Sequence, residues 1–174
     1  DYDGDGIPPM ANFGEGIPYH VTGLIHDISG SPSTDQKVTK TLLNRLMSKI
    51  YNNVADIIEY EKIYTEDAET VIVTFGTTAR SVLRAVRLLR QEGLKIGLLR
   101  LKTIWPFAHM AIKELTQTPV KNLIVAEMNY GQLMETVKAS AEGAFSVYGL
   151  NKYNGELITP QEVIDKVKEV AERA

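Results

Sequence analysis

Hydrophobic and polar residues follow two alternating periods along the second part of the chain. Short apolar runs such as TVIVTFG, KIGLLRL and NLIVAEM have the length and composition of buried strands. Each is followed by a segment whose apolar residues recur three and four positions apart, which is the spacing of an amphipathic helix. Strands that alternate with helices in this way predict βαβ units and a parallel sheet covered on both faces.

We therefore predict that residues 69–174 form an α/β domain with a mainly parallel open sheet and helices on both faces. One helix is predicted over residues 80–90, ended by Gly93, and a last helix has Pro160 in its first turn. Further helices are predicted in AHMAIKELTQT and GQLMETVKASAEG. The predicted strands lie near residues 71–75, 96–100, 123–126 and 146–148.

The earlier part of the chain has a different composition. Residues 1–32 hold four of the seven prolines and six of the thirteen glycines, which favours an extended, turn-rich arm over residues 1–33. Within this arm, IPYHVTGLIHD predicts a short strand or hairpin. Residues 34–68 are predicted to form an amphipathic helix and a connecting strand, with Ser33 or Thr34 as N-cap and Gln36 completing a capping box.

The opening segment DYDGDGIPP resembles two ligand-binding motifs at once. Asp1, Asp3 and Asp5 precede Gly6 as in a calcium loop, but Asn12 stands where the loop needs a bidentate acid. The same GDG begins the diphosphate site of thiamine enzymes, yet here it follows no hydrophobic strand and no Asn follows at the required spacing. We predict a solvated acidic turn that binds neither ligand.

Composition limits the classes of function. The net charge of −3 argues against a nucleic-acid surface, and no apolar run approaches the length of a membrane span. Cysteine is absent, so the chain can hold neither a disulfide nor a cysteine-ligated iron–sulfur cluster, which fits a cytoplasmic protein. Because the first residue is Asp rather than Met, we expect a piece of a longer chain.

Ligands of open α/β sheets gather at the carboxyl ends of the strands, and three segments fall there. The turn Gly76-Thr77-Thr78 could cradle an anion at a helix start, or could simply be a tight turn with Thr as N-cap. The second segment covers residues 100–107. The third is EMNYGQ, in which Glu127 and Asn129 could do acid–base chemistry but have no nucleophile or second base beside them.

Two histidines of the arm are candidate metal ligands. His20 and His26 lie six residues apart with Asp27 adjacent, and two imidazoles and a carboxylate could hold zinc. Gly23 between them interrupts the strand that would place both on one face. We favour loop histidines that form hydrogen bonds locally or to a neighbouring subunit, and we assign no metal site, cofactor site or catalytic residue to the chain.

The same segments carry a family resemblance. PYHVTGLIHDISG, VIVTFGTTARSVLRAVRLLRQEGLKIGLLRLKTIWPF and LIVAEMNYGQL, in this order, closely resemble the C-terminal half of the α subunit of 2-oxoacid:ferredoxin oxidoreductases. The segment EMNYGQ is nearest to the 2-oxoglutarate type. The resemblance implies that residues 69–174 are similar to the third domain of transketolase, which supports the catalytic domains without holding the cofactor.

The resemblance also implies a reaction for the whole enzyme. Such enzymes oxidatively decarboxylate a 2-oxoacid with coenzyme A and reduce ferredoxin, using thiamine diphosphate, magnesium and iron–sulfur clusters. The substrate motif of the YPITPSS type belongs to the preceding domain and is absent here, and the diphosphate and magnesium residues belong to the β subunit. The expected partners are therefore the β subunit and further subunits, with ferredoxin and coenzyme A reached through the whole enzyme.

Two other functions stay open on the residues alone: an autonomous module that binds coenzyme A or a nucleotide at the Gly76 turn, and an assembly domain used outside redox chemistry. Under the leading hypothesis, the carboxyl edge of the sheet and the arm form a contact to another domain or subunit, with Trp105 as the aromatic anchor. The candidate contact residues are His20, His26, Asp27, Arg100, Trp105, Glu127, Asn129 and Gln132.

Overall fold

A computed structural model of the chain describes residues 12–18 and 20–173, which divide into two compact units between Ile57 and Ile58. Each unit is described by itself. The opening segment DYDGDGIPP, with its predicted acidic turn, lies outside the described residues.

The second unit is built on a five-stranded sheet in the order β3-β5-β4-β6-β7. The edge strand β3 is antiparallel to β5, whereas β5, β4, β6 and β7 are all parallel. The four predicted strands are confirmed, each extended by one to three residues. The strands are β3 (Tyr60–Ile63), β4 (Thr70–Phe75), β5 (Ile96–Leu101), β6 (Asn122–Glu127) and β7 (Ser146–Asn151).

Helices follow the parallel strands, as the apolar spacing predicts. The long helix after β4 and the last helix with Pro160 in its first turn are confirmed. The last helix also begins with a capping box of Thr159 and Glu162, which the sequence analysis did not predict. The helix predicted in AHMAIKELTQT is shorter than expected and ends in a 3-10 turn, Glu114–Gln117. The helices are α3 (Thr78–Gln91), α4 (His109–Lys113), α5 (Gln132–Ala141) and α6 (Pro160–Ala171).

Both faces of the sheet are buried because successive strand side chains point to opposite sides. One face, with Val73, Leu99 and Val125, packs against α4 and α5. The other face, with Ile72 and Ile124, packs against α3 and α6. The expected α/β fold with helices on both faces is therefore confirmed.

The first unit contains a small hairpin and two helices. A two-residue strand pairs with a second one after the turn, so the arm forms a hairpin only at the end of the predicted segment. The N-cap predicted at Ser33 or Thr34 is wrong: Asp35 caps the helix, and its carboxylate accepts from the backbone of Lys37 and Val38. The elements are β1 (Ile25–His26), β2 (Pro32–Ser33), α1 (Gln36–Tyr51) and α2 (Val54–Ile57).

Candidate functional site at the carboxyl edge of the sheet

The strand order places a topological switch point between β4 and β6. From β4 the chain moves to β5 on one side, and then crosses back to β6 on the other. The loops that follow β4 and β6 therefore leave the sheet in opposite directions and open a crevice, which is where open α/β sheets bind ligands. A hollow of 210 Å³ lies there, lined by Thr77, Thr78, Arg80, Ser81, Met128, Leu157 and Ile158.

Glu127, the last residue of β6, is completely buried. One carboxylate oxygen accepts from the backbone N–H of Leu133 at 2.9 Å, and the other accepts from that of Met134 at 3.0 Å. The second oxygen also lies 3.4 Å from the side-chain amide nitrogen of Asn151, which donates to it. Both carboxylate oxygens are thus engaged by donors at the start of α5.

Asn129 completes the same structure. Its side-chain oxygen accepts from the backbone N–H of Gly131 at 2.9 Å and of Gln132 at 3.2 Å. Helix starts leave about four backbone N–H groups without partners inside the helix. Glu127 and Asn129 together satisfy four consecutive N–H groups at the start of α5, so EMNYGQ is a helix cap and not an acid–base pair.

Gly131 permits the sharp turn that joins the two parts of this cap. Its φ of +108° lies in the left-handed region that favours glycine. Gln132 follows as the first residue of α5, and its side chain is exposed to solvent. Of the three predicted residues in this segment, only Gln132 presents its side chain at the surface.

Arg100 belongs to a charged ladder between β3 and β5. It lies opposite Glu61 in the strand register, and the two side chains form an ion pair at 3.2 Å. Lys102 bonds to Glu59 at 2.6 Å and to Glu61 at 3.0 Å. Lys102, and then Arg100, hold the pKa of the Glu61 carboxyl below its usual value. Arg100 is therefore engaged within its own unit.

Trp105 follows β5 at the same edge and is 55% exposed. It precedes Pro106 in a cis peptide bond, and Pro106 and Phe107 are buried beneath it. Ile104 beside it is also half exposed. The loop thus anchors itself through Pro106 and Phe107 and presents two large apolar side chains to solvent.

The arm residues form local hydrogen bonds in the first unit. The Nε2 atom of His26 lies 3.2 Å from the hydroxyl of Thr22, whereas His20 is exposed. Asp27 closes the hairpin turn by accepting from Ser29 and Ser31, and these bonds, led by that from the Ser29 hydroxyl, hold its pKa below the usual value. Within residues 12–18 and 20–173, no group of three His, Asp or Glu side chains could hold a metal ion.

Sequence reasoning singled out Thr77 and Thr78 at this edge but not Arg80 and Ser81. Thr78, Arg80 and Ser81 line the hollow because the turn at Gly76, whose φ is +60°, directs the start of α3 into it. Thr77 occupies the N-cap position, but its side chain forms no capping hydrogen bond. The signal in the sequence is a run of hydroxyl residues and one arginine at a helix start. This pattern is typical both of a tight turn and of an anion cradle.

Residues 68–163, more than half of the chain, match the family described as pyruvate:ferredoxin oxidoreductase core domain II. The chain belongs to this family. The match runs from just before β4 into the first turn of α6, so it contains the parallel sheet and the whole carboxyl edge. The resemblance to 2-oxoacid:ferredoxin oxidoreductase α subunits, nearest to the 2-oxoglutarate type, is confirmed.

The chain is similar over most of its length to subunits of known enzymes. The 2-oxoglutarate synthase subunit KorA of Methanocaldococcus jannaschii is 40% identical over 157 residues, which cover 90% of this chain and 42% of that protein. The chain therefore spans about two-fifths of the length of this relative.

Solved structures show the same fold. The 2-oxoglutarate:ferredoxin oxidoreductase from Magnetococcus marinus, with 2-oxoglutarate, coenzyme A and succinyl-CoA bound, matches with a TM-score of 0.72 and 29% identity, over 97% of this chain and 30% of that one. A split-gene transketolase, an inactive β4 tetramer, matches with a TM-score of 0.54 and 20% identity, over 64% of this chain and 40% of that one. The transketolase-like fold is confirmed.

Among residues 12–18 and 20–173, no helix is both long enough and apolar enough to cross a membrane.

Proposed function

We propose that the chain is a non-catalytic, assembly-supporting part of the α subunit of a 2-oxoacid:ferredoxin oxidoreductase. The substrate of the whole enzyme is 2-oxoglutarate, which is decarboxylated with coenzyme A to give succinyl-CoA, carbon dioxide and reduced ferredoxin. The relationship to a 2-oxoglutarate synthase subunit over 90% of the chain carries this proposal. The solved relative with 2-oxoglutarate, coenzyme A and succinyl-CoA bound supports it.

The non-catalytic role is supported by what the acidic residue at the carboxyl edge does. Glu127 is buried, and backbone N–H groups of α5 occupy both of its oxygens. A general base must reach a substrate proton within hydrogen-bonding distance, and a carboxylate enclosed in a helix cap cannot. The chemistry therefore belongs to other parts of the enzyme.

The cofactors of the whole enzyme are proposed to be thiamine diphosphate, magnesium and iron–sulfur clusters, all held outside this chain. Among the described residues, no three carboxylate or imidazole groups converge in a way that could hold magnesium. The chain has no cysteine to ligate a cluster. A cytoplasmic location and the β subunit as a partner belong to the same proposal.

The assembly role is assigned to two contact regions, the carboxyl edge of the sheet in the second unit and the arm in the first. Trp105 is the proposed anchor of the carboxyl edge because large aromatic side chains that are exposed in the free protein often dominate interfaces. Glu127 and Asn129 cap the start of α5 and so fix the position of the loop that precedes this helix at the carboxyl edge. The residues proposed to contact a partner directly are His20, His26, Asp27, Arg100, Trp105 and Gln132, whereas Glu127, which is buried, and Asn129 act only through the α5 cap.

The test is Trp105→Ala in the complete enzyme. Because Trp105 is 55% exposed, we expect the melting temperature of the isolated α subunit to change by less than about 2 °C while subunit assembly, measured by light scattering, is lost. Tyr64→Ala is the control, since Tyr64 is an exposed aromatic residue beyond β3, at the opposite edge of the sheet. Intact assembly with an intact melting temperature would contradict the anchor role.

A further inference from the structure

The outer face of α3 carries a row of arginines. Arg80, Arg84 and Arg87 lie four and three residues apart, which places them on one side of the helix. All three are exposed, whereas Val82 and Val86 on the opposite side of α3 pack into the core. This arginine row, as we call the three residues, spans about 10 Å of the helix axis.

The arginine row has no ion-pair partner among the described residues. Between residues 58 and 173 the chain has fifteen lysines and arginines, and eleven of them form an ion pair with a carboxylate. In this described range, the cations outside such pairs are Arg80, Arg84, Arg87 and Lys121. Three of the four unpaired cations are therefore gathered on one face of one helix.

The carboxylates around α3 are engaged by other cations. Glu61 borders a small hollow together with Arg80, yet its carboxylate pairs elsewhere. The carboxylates near α3 and their partners are Glu61 with Arg100 and Lys102, Asp67 with Arg90, and Glu92 with Lys168. A carboxylate for the arginine row must therefore come from outside the second unit.

The arginine row does not serve the stability of α3. Like charges four and three residues apart on a helix repel each other. Arg80 also lies in the first turn of α3, where the positive end of the helix dipole disfavours a cation. The row is therefore better explained by an anion that it binds than by the folding of the helix.

The surroundings of the row favour an acidic protein segment over other polyanions. The chain has a net charge of −3, and the carboxylates of Glu61 and Asp67 beside α3 would repel a nucleic-acid backbone. Along residues 78–91, all of them described, α3 exposes no large apolar side chain that could enter a membrane. Arginine binds a carboxylate through two parallel N–H donors, so glutamates at matching positions would pair well with the row.

We propose that the arginine row binds an acidic helix of a partner protein, with glutamates spaced four and three residues apart. Each guanidinium donates to one carboxylate, and the like-charge repulsion along α3 is relieved. This surface is distinct from the two contact regions proposed above, since it shares no residue with them. It goes beyond the proposed function because it gives the domain a further partner, recognised by charge.

The experiment measures, by fluorescence anisotropy, the binding of a labelled alanine-based peptide to the complete protein. The peptide carries glutamates four and three residues apart, and a second peptide with glutamines at these positions is the blank. At low ionic strength we expect a dissociation constant at or below about 1 mM for the glutamate peptide and no binding of the blank. Binding should weaken at least about tenfold in about 0.5 M salt, which screens exposed charges.

Variants locate the binding surface. Arg84→Gln should weaken binding of the glutamate peptide at least about threefold, and the double variant Arg84→Gln with Arg87→Gln at least about tenfold. Lys121→Gln is the matched control, since Lys121 is an exposed, unpaired cation before β6, and it should change the affinity less than about 1.5-fold. The melting temperatures of the arginine variants should stay equal or rise, because fewer like charges remain on α3.

Several results would overturn the proposal. These are no binding of the glutamate peptide at about 5 mM, equal binding by the double variant, or a melting temperature lowered by more than about 2 °C in Arg84→Gln, which would assign the row to folding. Duplex DNA and phosphatidylserine vesicles are added as competitors, and displacement by either at a lower concentration than by unlabelled glutamate peptide would favour a nucleic acid or a membrane. Self-association that is lost in the double variant would make a second copy of the chain the occupant.

Discussion

At the residue scale, the start of α5 shows how one short segment can suggest chemistry and serve structure. EMNYGQ presents an acid and an amide at the edge where α/β proteins bind ligands, which favours a site. The side chains of Glu127 and Asn129 instead take up four consecutive backbone N–H groups. The buried carboxylate is stabilised because several donors replace the water that it loses.

The first prediction is that Glu127→Gln destabilises the domain by about 1–3 kcal/mol. The amide keeps one acceptor but turns an NH₂ group toward the N–H of Leu133 or Met134, which leaves that donor unpaired. Chemical denaturation with a spectroscopic probe measures the loss. Glu135→Gln on the same helix is the control. Because Glu135 is exposed, its replacement should change the free energy of unfolding by less than about 0.5 kcal/mol. Equal effects would contradict the capping role.

Glu162, in the first turn of α6, makes the folding stability of the protein depend on pH. Lys152, and then the capping bonds of Thr159, lower the pKa of this carboxyl to about 2. A carboxyl whose folded pKa is depressed stabilises the protein above its unfolded pKa of about 4.3. This contribution is lost as the pH falls from there through about 2.

The second prediction follows from the direction of this pKa shift. Glu162→Gln should lower the free energy of unfolding by about 1 kcal/mol at neutral pH, a modest value because the side chain is 39% exposed. The difference from the unsubstituted protein should shrink below pH of about 4 and vanish near the folded pKa. Glu172→Gln, at the other end of α6, is the control for removing one negative charge from this helix. A constant difference down to low pH would exclude the proposed linkage.

At the element scale, the close approach of β5 to the turn after β3 decides how the edge strand joins the sheet. Gly97 lies in β5, and a Cβ atom placed there would lie 2.7 Å from the carbonyl oxygen of Tyr64 and 3.2 Å from the Cα atom of Thr65. Both are backbone atoms that cannot turn away. The register that puts Glu61 opposite Arg100 therefore depends on a residue without a side chain.

The third prediction is that Gly97→Ala destabilises the second unit by about 1–3 kcal/mol, because overpacking forces the backbone to shift. Gly23→Ala is the control: its added Cβ would meet nothing within 4 Å. The midpoint of denaturation of each variant measures the effect. A neutral Gly97→Ala would mean that the turn after β3 yields easily and does not hold the edge strand.

At the scale of the whole molecule, the two units differ in how far they bury their apolar residues. The second unit has a core on each face of its sheet. Helix α1 of the first unit has no fully buried residue, and Leu43, Leu46 and Tyr51 stay largely exposed. Exposed apolar surface of this extent marks an interaction site, which agrees with the assembly role proposed for the chain.

The fourth prediction is that the 174-residue chain by itself does not bind the cofactor of the proposed enzyme. Titration with thiamine diphosphate and magnesium should give no saturable heat, because the family resemblance assigns the diphosphate and magnesium residues to the β subunit. Calcium should leave the melting temperature unchanged, since Asn12 replaces the bidentate acid of a calcium loop. A micromolar dissociation constant for either ligand would refute the interpretation of DYDGDGIPP as a turn.

The sequence by itself determined the strands, the helices and the family. Periods of two and of three to four residues are local, and burial on both sides makes parallel strands continuously apolar, so β4, β5 and β6 could be predicted within a few residues. The motifs from PYHVTGLIHD to EMNYGQL carried the resemblance without any knowledge of distances. The N-cap of α1 was misplaced because several adjacent residues could cap.

Only the tertiary structure decided the strand order and the burial of Glu127. Strand order depends on pairings between segments that are distant in the sequence, such as β4 with β6. The local pattern of apolar residues carries little information about these pairings. A glutamate looks the same in the sequence whether its carboxylate caps a helix or acts in an active site. Only the hydrogen-bond donors around the carboxylate, which the fold brings together, distinguish the two roles.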